Sequence, residues 1–434
     1  MRDQGLRAPL RKPLFRRLLA TYSINEMGDW MGIVALSVLV YEATHSPFAT
    51  AALFFGTRFL PAIFAPLLVT RVEKPPPRLV LPLIYCLETA AFGALALLVS
   101  NFSLPAVVVV ATIDGALALA GRALTRASVV SLLSDPGELR AGNALLNVAF
   151  TAGAAVGPAL AGLVVAALGL QAALFANAAS FYLVAWILVT AGPIPHAEAE
   201  EGGTRERVRA GFAYVRRNMP LRRILLAQAL AFVFFSAVSP IEVIYAKESL
   251  GTTDTGYGVM LAAWGVGMLC GSLVFAGAKK VPLAALFVLS TLVIGASYLG
   301  LAIAPNLAIA CVASVIGGTG NGVQWVSAIS SVQELTEAGM QARVMAVLES
   351  IGAAMPGLGF AIGGLIAAIA TPRATFLVAG LGVLAIVALA IPLLRGGRGR
   401  PLTGSGGFPL DESDAVVLEL LPGGMPIPNS EVEL

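Results

Sequence analysis

The sequence predicts an all-α membrane protein with twelve transmembrane helices, divided six and six. Three observations predict it. First, of 434 residues 57% are apolar and only 12% charged, against about 25% charged in soluble domains, and the mean hydropathy is +0.84. Second, twelve apolar stretches each approach the about 20 residues with which a helix crosses a hydrocarbon layer. Third, Lys and Arg avoid every second connection between those stretches. So little charge cannot dress the surface of a soluble enzyme of this size, and hydrophobicity this high excludes intrinsic disorder. A net charge of +3 excludes the basic excess of a nucleic-acid-binding protein.

The elements follow in order. Residues 1–16 form a basic N-terminal segment; it is not read as a cleaved signal peptide, because the apolar run behind it is long and carries Glu26 and Asp29. The first half, 17–191, holds spans 17–42, 47–70, 79–100, 104–131, 142–168 and 170–191, the last two divided only by a turn at Gly169 to Gln171. Lipid satisfies no backbone hydrogen bonds, so these are helices; a barrel would show short alternating segments. Residues 192–221 form a linker with Pro193, Pro195, an acidic stretch and then RERVRAGFAYVRRN, where Val208, Phe212 and Val215 share one helical face. That pattern predicts an amphipathic helix lying on the membrane surface; the plainer alternative is a solvated tether. The second half, 222–394, holds spans 222–246, 255–278, 281–302, 305–333, 343–370 and 372–394. The Gly- and Pro-rich tail 395–434, first basic and then acidic, is expected to be disordered.

Charge placement orients the chain. With both termini cytoplasmic, twenty-three Lys and Arg fall in cytoplasmic segments, Lys247 and Arg373 alone in outer loops, and Arg58, Arg122 and Arg126 inside spans. This is a strong positive-inside bias and predicts a multi-pass protein of the cell membrane. Setting Ala141 against Arg343 and Gly162 against Gly364 repeats the hydropathy profile from one half to the other, as internal repeats in transporters do. Cys86, Cys270 and Cys311 lie in apolar runs and suggest no disulfide framework. Two histidines, His45 and His196, leave no basis for a histidine metal site or a catalytic triad. The GGTGNG run at Gly317–Gly322 lacks the Lys-Ser/Thr ending of a phosphate loop, so nucleotide binding is not expected and close packing is.

Three stretches together carry a family resemblance: NEMGDWMGIVALSVLVYEATHSP (Asn25–Pro47), ALTRASVVSLLSDPGELRAGNALL (Ala123–Leu146) and AYVRRNMPLRRILL (Ala213–Leu226). Over residues 10–394 the chain resembles the major facilitator superfamily (MFS). Within it, it looks most like the bacterial branch of drug and siderophore exporters that includes macrolide-efflux and enterobactin-exporter proteins. The resemblance implies two pseudo-symmetric bundles around a central cavity, alternating access, and in exporters usually a proton gradient as the driving force. The run GAAVGPALAG, with Gly153, Gly157, Pro158 and Gly162, is similar to the antiporter pattern of the fifth span; small residues there permit close helix approach, and ordinary packing is the plainer role. The loop between the second and third spans, LLVTRVEKPPPRLV, departs from the family pattern. It keeps Arg71, Lys74 and Arg78 but lacks the Gly and Asp that help latch relatives, and only Glu73 offers a substitute.

Charges inside spans are costly and therefore candidates for function. The first half has Glu26, Asp29, Arg58, Glu88, Asp114, Arg122 and Arg126. Glu26 and Asp29 are three apart, as Arg122 and Arg126 are four apart, so each pair shares a helix face. A carboxylate held there is stable either protonated or beside an arginine. The expected proton site is Asp29, helped by Glu26, with Arg58 or Arg126 as the responsive partner; a static ion pair is the structural alternative. The second half is poorer in charge, and Asn25, Phe232, Phe235, Glu242, Trp264, Gln324 and Trp325 are the expected lining of a cavity for amphiphilic substrates. The reading is thus a secondary exporter exchanging protons for small amphiphilic molecules, monomeric and without cofactor, metal or nucleic-acid partner. Its alternatives are an importer or uniporter on the same fold, and a sensor or assembly protein that does not transport.

Overall fold

The computed structural model describes residues 7–72, 75–133, 135–195, 204–278 and 280–396. Glu73, Lys74, His196, Lys279, the acidic stretch of the linker and the tail beyond 396 lie outside the described residues, as does the side chain of Val208.

Prolines and polar caps punctuate the apolar runs. Helix α1 (Pro13–Thr44) ends where His45 takes a left-handed conformation, and Ser46 then caps α2 through the Ala49 N–H. Helix α2 runs Pro47–Phe54, passes a wide π-type turn Phe55–Phe59 and continues as Leu60–Val72. Helices α3 (Pro77–Leu98) and α4 (Leu104–Leu132) follow. Asp135 starts α5 (Pro136–Leu168) by accepting from the Gly137 and Glu138 N–H groups at 2.9 and 3.1 Å. Only Gly169, at φ +86°, separates α5 from α6 (Leu170–Val189). The linker folds as α7 (Thr204–Arg217). Asn218 then caps α8, which begins as Met219–Val238 and reaches a second π-type turn at Tyr245–Ser249. Helices α9 (Asp254–Gly277), α10 (Leu283–Ile303), α11 (Leu307–Glu334), α12 (Gln341–Ile369) and α13 (Pro372–Gly396) complete the chain.

Each predicted stretch coincides with one of these long helices. Among the described residues ten candidate spans are long and apolar enough to cross a membrane. Helices α1 and α13 stand outside that set, α1 being diluted by Glu26 and Asp29. Packing repeats between the halves: α1 lies on α5 and α6 as α8 lies on α12 and α13, and α3 lies on α6 as α10 lies on α13. The GGTGNG run is a packing device. A Cβ on Gly318 would stand 2.1 Å from the Trp264 carbonyl oxygen and one on Gly322 2.6 Å from that of Met268, so α9 and α11 cross backbone to backbone.

Helix α7 departs from the expected surface helix. Val215 is buried in a cluster with Leu221, Ile224, Val344 and Val347, and a Cβ on Gly211 would meet the Arg343 carbonyl at 2.3 Å. Phe212, on the same predicted stripe, stays exposed. The apolar face is therefore shared between α12 and the surroundings, because glycine at 211 lets the helix dock closely.

We call the face bearing the start of α1 and the end of α13 the terminal face, and its opposite the far face. The bundles meet tightly in their far and central parts. Along α5 and α9, Cβ atoms on Gly162, Gly258 and Gly265 would stand 2.7, 2.3 and 2.4 Å from the carbonyls of Asp254, Pro158 and Ala154. Along α2 and α12, Phe54 packs on Phe360 at 5.7 Å and Phe59 lies against Gly357.

Candidate functional site

The membrane-embedded charges gather in the first bundle. Arg122 of α4 lies 3.8 Å from Glu26 and 3.6 Å from Asp29, so one guanidinium serves both carboxylates of α1. Asn25, one turn before Asp29, donates to it at 3.4 Å. Arg126, one turn beyond Arg122, donates to the Tyr22 hydroxyl at 3.1 Å and feels the charge of Glu349 across the bundle boundary. Arg122 lies within ion-pair distance of Asp29, and Arg58 lines the same cavity; the sequence expectation named Arg58 or Arg126, since spacing along one helix does not say which neighbouring helix an arginine reaches.

Asp29, Arg58, Asp114 and Arg122 line one cavity with Thr57 and Phe92. Its volume, about 80 Å³, holds a few water molecules. It is well below the about 300 Å³ at which ligand pockets begin. The arrangement suits protons and water, not a cargo. Glu26 and Glu88 are wholly buried and Asp114 is 9% exposed. Both Glu88 oxygens and one Asp114 oxygen have no hydrogen-bond partner among the described residues, while Arg58 and Arg122 stand with Asp114 around the same cavity.

The helix-5 motif touches this cluster from behind. A Cβ on Gly153 would stand 3.1 Å from the Glu26 backbone and Cβ, and one on Gly157 would stand 2.7 Å from the Trp30 Cβ. Pro158 and Gly162 face α9 of the other bundle at the seam described above, where Thr255 donates to the Gly162 carbonyl at 3.2 Å. One helix therefore presses on the charged segment of α1 with one face and on the second bundle with another.

The aromatics of the second bundle are placed apart from the charges. Phe232 meets Trp325 edge-on at 6.0 Å, and Phe235, Trp264 and Tyr298 form a chain at 5.9 and 5.7 Å. Gln324 donates to Gln228 at 3.0 Å in the interior. Glu242 is partly buried and within electrostatic reach of Tyr257 and Tyr298. The Trp264 and Trp325 indole N–H groups have no acceptor among the described residues.

Two features escaped the sequence reading. Tyr22 and Asn177 belong to the site: Tyr22 precedes Glu26 by one turn, and Asn177 of α6 seats α1 at Gly28 and Gly32. The second is a polar seal on the far face. Lys247 bridges Glu42 of the first bundle at 2.9 Å and Asp254 of its own at 2.5 Å, and the Tyr41 hydroxyl donates to Glu248 at 3.1 Å. Arg373 ties α13 to the Ala302 and Ser249 carbonyls at 3.0 and 3.1 Å. The signal was available, since Lys247 and Arg373 are the two basic residues assigned to that side.

Comparison with known proteins agrees with this architecture. The family model described as transmembrane secretion effector (MFS_3) matches residues 5–395. No curated protein matches the chain in sequence. Among solved structures, a POT family transporter in complex with a thioalcohol-conjugated peptide is 14% identical with a TM-score of 0.70, over 88% of this chain and 96% of that one. The nucleoside transporter NupG is 12% identical with a TM-score of 0.69, over 88% and 99%. The human organic anion transporter MFSD10 is 18% identical with a TM-score of 0.57, over 87% and 100%. At these identities the likeness speaks for the fold. Helix packing, span count and family match together place the chain in the transmembrane secretion effector family of MFS membrane transporters.

Proposed function

We propose that the chain is a proton-coupled exporter of small amphiphilic molecules in the cell membrane, working by alternating access with its terminal face in the cytoplasm. The observation that carries this reading is one arginine, Arg122, shared by Glu26 and Asp29 on the wall of a water-sized cavity. A proton arriving at Asp29 neutralises it and loosens its hold on Arg122. Asn25 keeps the carboxylate oriented, and Glu26 retains the guanidinium while the proton is present. Because Gly153 and Gly157 hold α1 against α5, and α5 forms the seam with α9, a shift of α1 reaches the second bundle through contacts already made. With the far face taken as the outer one, the tight far-side contacts and the Lys247–Glu42 bridge support a resting state closed on that side. Cargo is held by apolar contact in the second bundle, Phe232, Phe235 and Trp325 offering rings and the indole N–H groups single donors.

The test uses cells lacking their main efflux pumps and a panel of dyes and antibiotics, with wild-type protein and Asp29→Asn at equal expression, each with and without an uncoupler. Reduced accumulation that both the uncoupler and Asp29→Asn abolish is the expected result. Transport that is indifferent to the uncoupler identifies a downhill carrier and defeats the coupling. A cellular phenotype that survives neutralisation of Asp29 and Arg122 together, with no compound moved, points to a protein that does not transport.

A further inference from the structure

One built feature lies apart from the charge cluster and from the seam between the bundles. Where α7 meets α8 and α12, a groove of about 610 Å³ opens near the terminal face. Its mouth is basic: Arg216 and Arg217 end α7, and Arg222 lies in the first turn of α8. All three are exposed, and no described carboxylate pairs with them; Arg222 rests on the Met219 sulfur at 3.0 Å. The rest of the wall is apolar, with Phe212, Leu226 and Ile351. Leu226 is 49% exposed, as a lipid-facing side chain of a membrane-spanning helix is. From Arg222 to Ala229, the last wall residue on α8, the helix rises about 10 Å, so charge gives way to hydrocarbon over the depth at which a headgroup gives way to acyl chains.

We propose that this groove binds an anionic phospholipid, its phosphodiester among Arg216, Arg217 and Arg222 and one acyl chain along Phe212, Leu226 and Ile351. Charge complementarity selects this occupant. A neutral apolar molecule leaves three guanidinium groups without a counter-charge, and a free phosphate leaves the apolar wall bare. Basic pockets between transmembrane helices are suited to anionic headgroups in this way. The bound lipid would also clamp the linker, because α7 is already seated on α12 through Gly211 and Val215.

Native mass spectrometry of the full-length protein tests the proposal. The protein is titrated with phosphatidylglycerol or phosphatidylcholine, with inorganic phosphate in a separate arm. Phosphatidylglycerol is expected to be retained in preference to phosphatidylcholine. Arg216→Gln, Arg217→Gln and Arg222→Gln combined should reduce that preference about a hundred-fold, at about five-fold for each basic residue near a headgroup. The corresponding triple lysine variant should keep most of it, which also shows that the surface tolerates the changes. Leu226→Gln should weaken both lipids. An unchanged preference in the triple glutamine variant would overturn the proposal, as would an equal loss in the lysine variant. Displacement of phosphatidylglycerol by inorganic phosphate would reassign the groove to a free anion.

Discussion

The seam between α5 and α9 makes a quantitative prediction. In the far-closed state a Cβ at position 258 would stand 2.3 Å from the Pro158 carbonyl oxygen and 3.2 Å from the Gly162 Cα and nitrogen. Ordinary contact begins near 3.4 Å, so even Gly258→Ala forces the helices apart by about 1 Å, and Gly258→Leu by more. The obstacles are backbone atoms, which cannot change rotamer. Overpacking of this kind costs about 1–3 kcal/mol, borne by the state in which the seam is closed. The far-closed population should therefore fall about 5- to 150-fold relative to the far-open one. Spin labels at Asn101 and Pro305, on far-side loops of the two bundles, would measure this by electron–electron distance, with Cys86, Cys270 and Cys311 replaced beforehand. Wild-type protein should give one short distance, and Gly258→Leu a longer one or a mixture. A distribution unchanged in a folded Gly258→Leu protein would refute the assignment of this contact to one state.

Three further outcomes follow from the polar contacts. Arg122→Gln strands Glu26 and Asp29 and should destabilise the protein by about 3–5 kcal/mol, read as a lower thermal midpoint; adding Glu26→Gln and Asp29→Asn should recover most of the loss. Gln228→Leu leaves Gln324 buried without its partner and should cost about 1–3 kcal/mol, whereas Gln228→Leu with Gln324→Leu should be close to neutral; a double-mutant thermal denaturation series checks this. Glu42→Gln removes a bridge whose acid is 45% exposed, so it should shift the far-side distance distribution by less than about five-fold, well short of the effect of Gly258→Leu.

The helices were legible because a membrane imposes a coarse rule: apolar length, proline and glycine punctuation, and charge on alternate sides. Even the break at Gly169 stood out, since little else interrupts an apolar run of that length. The candidates for a charge cluster could be listed for the same reason, as lipid leaves few explanations for Asp29, Glu88 or Asp114 inside a span. Who pairs with whom was not. Arg58 lies on α2 and Arg122 and Arg126 on α4, and which of them reaches the carboxylates of α1 depends on how those helices are turned towards α1, which spacing along one helix does not state. The inward docking of α7 was hidden likewise: Val208, Phe212 and Val215 mark a stripe, but Gly211 decides that part of it meets α12.

The backbone-on-backbone seam also bears on how fast the molecule can move. Interlocked side chains must leave their holes, often through strained rotamers, before two helices part. Between Gly162, Gly258 and Gly265 and the carbonyls they face there are no such knobs to withdraw. Separation there meets little steric barrier beyond the attraction between the two backbones, so this seam is unlike a ratchet and more like a smooth bearing. Along α2 and α12, by contrast, Phe54 and Phe360 interlock, so side-chain withdrawal there, not the glycine seam, should set the rate of opening.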